Sequence, residues 1–473
     1  MASIHLPAFN RLPNELLLEI LRYSQPPTAT PTLESAQTLV NFAKVSKACI
    51  APAQEFLYRH CDLTQYPDQT LLFLRTILSR PELGLLVRSI KIRNPDNSPA
   101  AHDVYGTLAF DVASLIADLS LTQGLKETWL TKLVTLDHDA WVGTLLQLVP
   151  EVQHVGLRAE RSIPAFLRKL SSPSAGIIMK SVKHLVLADL PNGAHSDAHK
   201  FVFEAPAPSP SERTFKTDSL ALPELETLEV TSFDVGASAL NQITTFITPE
   251  LFHSNSITTF SLTGWIPLQA LNRALSHLGG LRSFTYDIPS STRSRNLGPR
   301  DLTAFSTALA PVRGSLEHLA LNFHGDTVCP ELWPHGLRAF SKLETLRLNG
   351  GFTLKPPANQ TNNVQMMDLF PPSLRQLTLD STLQASKAFR ESWAFEPFQL
   401  ELKRVFYDKH EMVPDLQKVV LGPRLIDSEH GQKIGQIAES VGVQLITRRP
   451  TDEELSWETG SATTRRRFGF TLW

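Results

Sequence analysis

"LETLRL", Leu343 to Leu348, decides how most of this chain is read. An apolar residue is followed by two others, then apolar, one other, apolar. The last three positions alternate, so alternate side chains share a face, as in a strand with one buried side. The same spacing recurs at Val87/Ile90/Ile92, Val152/Val155/Leu157, Val182/Leu185/Leu187 and Leu225/Leu228/Val230. It continues at Ile257/Phe260/Leu262, Leu281/Phe284/Tyr286 and Leu316/Leu319/Leu321. After Leu343/Leu346/Leu348 come Leu374/Leu377/Leu379 and Leu416/Val419/Leu421.

Strands this short cannot stand alone, but stacked in parallel they would share one core. The intervening segments read as helices. Leu268, Leu271, Leu275 and Leu278 fall on one helical face ahead of Gly279 and Gly280. Asp301 can cap a helix with Leu302, Phe305 and Leu309 inward, and "ELWPHGLRAF" offers Trp333, Leu337 and Phe340 around Pro334 and Gly336. Parallel strands joined by helices, about every 24 to 43 residues from Val152 onward, predict a solenoid with strands inside and helices outside. An ordinary α/β domain with several amphipathic strands is the competing reading.

From Val87 to Leu421 the pattern resembles leucine-rich repeats. The resemblance implies Asn or Cys three residues after the last strand leucine. Leu190, Phe233, Trp265, Pro289, His324, Gly351 and Thr382 stand there instead, so irregular repeats are expected. "HGQKIGQIAESVG", with Ile434, Ile437, Ala438 and Val441 on one face, and the strand-like "VQLITRR" after it read as a closing unit.

The composition excludes several classes. The chain has 473 residues, formal net charge -2, 42% hydrophobic and 19% charged residues. That is a globular balance, with no bulk charge for nucleic acid or a membrane surface. Three unpatterned cysteines, Cys49, Cys61 and Cys329, make no disulfide framework or zinc motif and suggest a reducing compartment. Neither a signal peptide nor an apolar run of roughly 18 residues is evident, so a cytoplasmic or nuclear location is expected.

The N-terminal "RLPNELLLEI", Arg11 to Ile20, is a short greasy helix with little before it to pack against. Pro13 suits a helix start, and Leu16, Leu17, Ile20 and Leu21 form a broad apolar face. Leu39, Val40, Phe42 and Ala43 mark a second helix, Phe56 to Tyr58 belong to a third, and His60-Cys61 reads as a helix end. Three short helices make a small core, which predicts a module completed against a partner or the solenoid.

"LPNELLLEIL", then "VSKAC", then "FLYRHCDL" resembles the F-box, over about Ala8 to Leu63. The matching positions are Leu12, Pro13, Glu15, Leu16, Ile20, Leu21, Val45, Ser46, Lys47 and Tyr58. The resemblance implies that Leu12, Pro13, Leu16, Leu17, Ile20, Leu21, Val45, Ser46 and Lys47 enter a groove of a Skp-type adaptor, which links to a cullin scaffold. The loop from Gln25 to Glu34 is longer than the family's compact form, and Cys49 stands near a usual tryptophan.

Motifs for catalysis are missing: no Gly-rich phosphate loop, "HExxH" or "GxSxG" occurs. "HSDAH", His195 to His199, has ligand types at close spacing but reads as a solvated loop. The polar loops Glu204–Arg213, Pro289–Arg300 and Leu354–Asn363 read as surface insertions.

The expected fold is therefore α/β: a small N-terminal helical F-box module (8–63), linking helices and a first irregular repeat (64–150), a leucine-rich-repeat-like parallel solenoid (151–447) and a flexible tail (448–473). The expected function is a non-catalytic substrate receptor of a cullin-type (SCF) ubiquitin ligase, with no cofactor, metal, nucleic acid or membrane partner. A scaffold using the same helices without ubiquitin transfer is the alternative. The client protein would meet the free strand positions on the concave face. These include Thr227, Glu229, Thr259, Ser261, Thr285, Asp287, His318, Asn322, Thr345, Arg347, Gln376 and Thr378, with His184 and Val186 earlier in the chain.

Overall fold

In the computed structural model of this protein, the described residues are 12–24, 33–64, 69–93, 116, 123–134, 138–158, 181–188, 222, 224–231, 256–264, 268–288, 307–323, 337–349, 370–380, 395–422 and 428–447. Two compact units divide the chain. The first holds Met1–Ala188, and the second holds Glu226–Gly469, each with smaller additions.

In the first unit, α1 (Asn14–Ser24), α2 (Leu33–Ala43) and α3 (Ile50–Arg59) precede four strands. These are β1 (His60–Leu63), β2 (Ser89–Arg93), β3 (His154–Arg158) and β4 (His184–Ala188). They pair in chain order, all parallel, with His60, Ser89, His154 and His184 in register. Helices Gln69–Ser79, Pro81–Gly84, Gln123–Val134 and His138–Gln147 lie between them in sequence.

The second unit carries eight parallel strands, also in chain order: β5 (Thr227–Thr231), β6 (Thr259–Thr263), β7 (Ser283–Ile288), β8 (His318–Phe323), β9 (Thr345–Asn349), β10 (Gln376–Asp380), β11 (Lys418–Leu421) and β12 (Gln444–Thr447). Parallel neighbours in chain order are the repeating pattern that the spacing predicts.

Every residue of the ten apolar triads is buried. The first member sits three residues before the strand's first inward residue, so each repeat sends three side chains to the core. Leu271, Leu275 and Leu278 of the helix Leu268–Ser276 and its trailing turn are buried as predicted. So are Ile434 and Ala438 of the closing helix Ser428–Ser440. That helix ends at Gly442, whose φ of +71° is the left-handed conformation a glycine takes without strain.

The repeats are also tied by a backbone device. In most of the described repeats the residue before the strand offers its carbonyl to two successive N–H groups of the next repeat. Gln153 and His154 both donate to Arg88, at 2.8 and 3.0 Å, and Glu317 and His318 both donate to Arg282, at 2.8 Å. The same fork recurs on Gln153, Glu226, Thr258, Glu317, Glu344 and Arg375. In several repeats the side chains at these positions also pair. Arg282 and Glu317 are 3.8 Å apart and Arg375 and Glu344 3.6 Å.

One expectation is corrected. His60 caps the end of α3, but His60 to Leu63 is the first strand, paired with β2. Repetition thus begins inside the segment read as the helical module. Asp301, Leu302, Phe305, Trp333, the His195–His199 stretch, the three polar loops, the seven positions where the resemblance implies Asn or Cys, and the tail from 448 lie outside the described residues. No described helix is long and apolar enough to cross a membrane.

Candidate functional site

Pro13 opens α1 by offering its carbonyl to the N–H groups of Leu16 and Leu17, at 3.1 and 3.2 Å. Its own missing N–H costs nothing there. Glu15 in the first turn complements the helix dipole. Both α1 and α2 pack on α3. Their shared core holds Leu17, Leu21, Leu39, Cys49 and Ala53, all buried. Cys49, which stands near a usual tryptophan of the family it resembles, has its Sγ 3.2 Å from the Ser46 hydroxyl.

The predicted apolar face of α1 is therefore divided. Leu17 and Leu21 fill the module's own core, so they are not on its outer surface. Leu16 is 50% exposed and Ile20 41%, on one stripe at i and i+4. Val45 is 45% exposed, and Tyr23, Val40 and Ile50 are exposed as well. Pro13 and Lys47 are exposed, while Leu12 and Ser46 are half-buried. The core of the module is thus filled from within, and a separate set of large apolar side chains remains in water.

At its far end α3 is anchored. Tyr58 stacks on Phe73 of the helix Gln69–Ser79, with ring centroids 5.9 Å apart. Burial raises the Tyr58 pKa, partly opposed by the Arg80 charge. The Cys61 thiol donates to the Tyr58 carbonyl at 3.1 Å, and burial pushes its pKa up to about 12. Such a thiol is structural, not a nucleophile.

In the second unit the predicted client residues, joined by Ser283 and Ala320, form rows across the free face. Thr227, Thr259, Ser283, His318, Thr345 and Gln376 are in register along the first row. Glu229, Ser261, Thr285, Ala320, Arg347 and Thr378 form the second, and Asp287 and Asn322 pair in the third. His318 and Arg347 are exposed and the other predicted residues half-buried. Lys418 and Gln444 extend the first row, a continuation outside the predicted set. This surface is rich in hydroxyls with scattered charge of both signs.

The first unit's free face was largely missed. Its strand positions are His60, Asp62, Ser89, Lys91, Arg93, His154, Gly156, Arg158, His184, Val186 and Ala188. The triads at Val87 and Val152 are sufficient to find β2 and β3, and their alternate positions name Ser89, Lys91, His154, Gly156 and Arg158. No described group of three or more His, Cys, Asp or Glu residues is placed to hold a metal ion. Comparison with known proteins finds no family model that matches the chain and no matching curated protein.

Proposed function

We propose that this chain is a substrate receptor of a cullin-type ubiquitin ligase. The helical module holds a Skp-type adaptor, and the free face of the parallel strands holds a client protein. The observation that carries this reading is the exposure of Leu16, Ile20 and Val45 on a module whose core is already closed by Leu17, Leu21 and Leu39. Burying side chains of this kind against a partner is worth about 1.5–3 kcal/mol each. An amphipathic helix offering i and i+4 anchors suits a groove on another protein.

The receptor performs no bond chemistry itself. It raises the rate of ubiquitin transfer by holding a client lysine near the activated carrier, an effect of proximity and orientation. Hydroxyls and mixed charges across several strands suit hydrogen bonding to a protein surface, and the anchoring residues would be a few of the exposed ones.

The test is reconstitution. The full chain, mixed with purified adaptor and cullin scaffold, should co-elute with both on size exclusion. A folded chain that elutes apart from the adaptor overturns the reading.

A further inference from the structure

The first unit's free face differs in chemistry from the second. His154 and His184 occupy matched positions of neighbouring strands, and their rings lie 5.5 Å apart. His60 and Ser89 continue that row on β1 and β2. The next row places Lys91 beside Gly156. A Cβ on Gly156 would meet Lys91 Cγ at 3.2 Å, so the bare backbone lets the lysine stem lie across β3. His154 and Arg158 flank Gly156 on the same face. His154 and Arg158 are exposed, and Lys91 and His184 half-buried. Asp62 is the one carboxylate at these face positions, and its Oδ1 already accepts the N–H and hydroxyl of Thr64.

We propose that this face binds an acidic peptide segment, with His154 and His184 as paired donors and Lys91 and Arg158 as flanking charges. Carboxylate or phosphorylated side chains supply the same anionic chemistry here. None of the described residues at these face positions is Phe, Tyr or Trp, the rings on which successive bases stack in single-strand grooves. This inference stands on the first unit alone and does not depend on adaptor binding.

Protonation follows from the surroundings. His154 is held below the usual histidine range by partial burial and then by His184, with a hydrogen bond to the Arg88 backbone acting the other way. His60 is lowered by burial, Arg59 and His154. Lys91 and Ser89 face His154 from β2, His184 faces it from β4, and Arg158 lies beyond Gly156 on β3 itself. A bound anion would favour the imidazolium, so affinity should rise as pH falls below about 6.5 while carboxylates stay ionised.

The experiment uses the full chain and a fluorescein-labelled heptaglutamate peptide, read by anisotropy from about pH 7.5 to 5.5. A heptaglutamine peptide and a phosphoserine peptide of equal length run alongside. The glutamate and phosphoserine peptides should bind and the glutamine peptide should not. Binding of the glutamate peptide should tighten as pH falls, and His154→Gln/His184→Gln should flatten that dependence. Lys91→Met should weaken binding about tenfold, the loss of one charge-assisted contact. Arg347→Gln, in the second unit, should change nothing. Equal binding of the glutamate and glutamine peptides, or wild-type affinity in both first-unit variants, overturns the proposal. So does displacement by a single-stranded oligonucleotide at lower concentration than the peptide. Thermal melts of each variant separate loss of binding from loss of fold.

Discussion

Leu16 and Leu17 are neighbours in the chain with opposite surroundings: Leu16 is 50% exposed and Leu17 fully buried. The helical turn of α1 separates a residue that holds the module together from one that the module presents. Leu17→Ala should cost about 2–5 kcal/mol of stability, because it opens a cavity between α1 and α3. Leu16→Ala should stay within about 0.5 kcal/mol. Urea denaturation of the two variants checks the contrast, and equal losses would place both side chains in one core.

This division was not legible in the sequence. Leu16, Leu17, Leu18, Ile20 and Leu21 are apolar all round, and periodicity cannot say which stripe turns inward when nearly every position qualifies. The packing of α3 against α1 decides it. The strands were easier. From Leu225 to Leu421 each carries alternating apolar residues with a leading apolar residue, and burial follows that spacing. β1 escaped because α3 runs into it directly and Tyr58 stands where the leading leucine would be, so helical character masks the strand. The register that assembles separate residues into one face, His154 beside His184 for example, is a property of the stack and not of any single repeat.

The ion pairs of the repeat column should contribute little. Arg282 and Glu317 are 3.8 Å apart, with side chains 64% and 34% exposed. Solvent screens such a pair, so Glu317→Gln should cost less than about 1 kcal/mol. Leu316→Ala, one residue earlier and fully buried, should cost about 2–5 kcal/mol. Denaturation curves in low and high salt check this, since only the first effect should shrink with salt.

The histidines of the first unit should make stability fall in acid. His60 and His154 have folded-state pKa values below the ordinary 6.5. The unfolded chain therefore binds protons that the folded chain resists. The contribution is fully present above pH 6.5 and is lost as pH falls through the lowered folded values. Melting temperatures measured between about pH 7.5 and 5 should decline, less steeply for His154→Gln. A variant whose decline matches the wild type would remove His154 from this account.

Gly442 offers a backbone test. Its φ of +71° closes the helix Ser428–Ser440, with Val443 N–H donating to Ala438 at 2.8 Å. A Cβ there meets nothing within 4 Å, so strain alone is at issue. Gly442→Ala should cost about 1 kcal/mol, the penalty of a left-handed alanine. Replacement of Gly435, within the same helix and equally open, should stabilise slightly, by up to about 1 kcal/mol. Opposite signs in the two denaturation midpoints are the expected result.

The most direct measurement is calorimetric titration of purified Skp-type adaptor into the full chain, comparing wild type, Leu16→Asp/Ile20→Asp and Arg347→Gln. The account predicts that wild type and Arg347→Gln bind alike, while the double variant, melting as wild type does, releases no heat of binding. A folded wild type that does not bind, or a double variant that binds as tightly, would contradict the assignment of the exposed face of α1 to the adaptor.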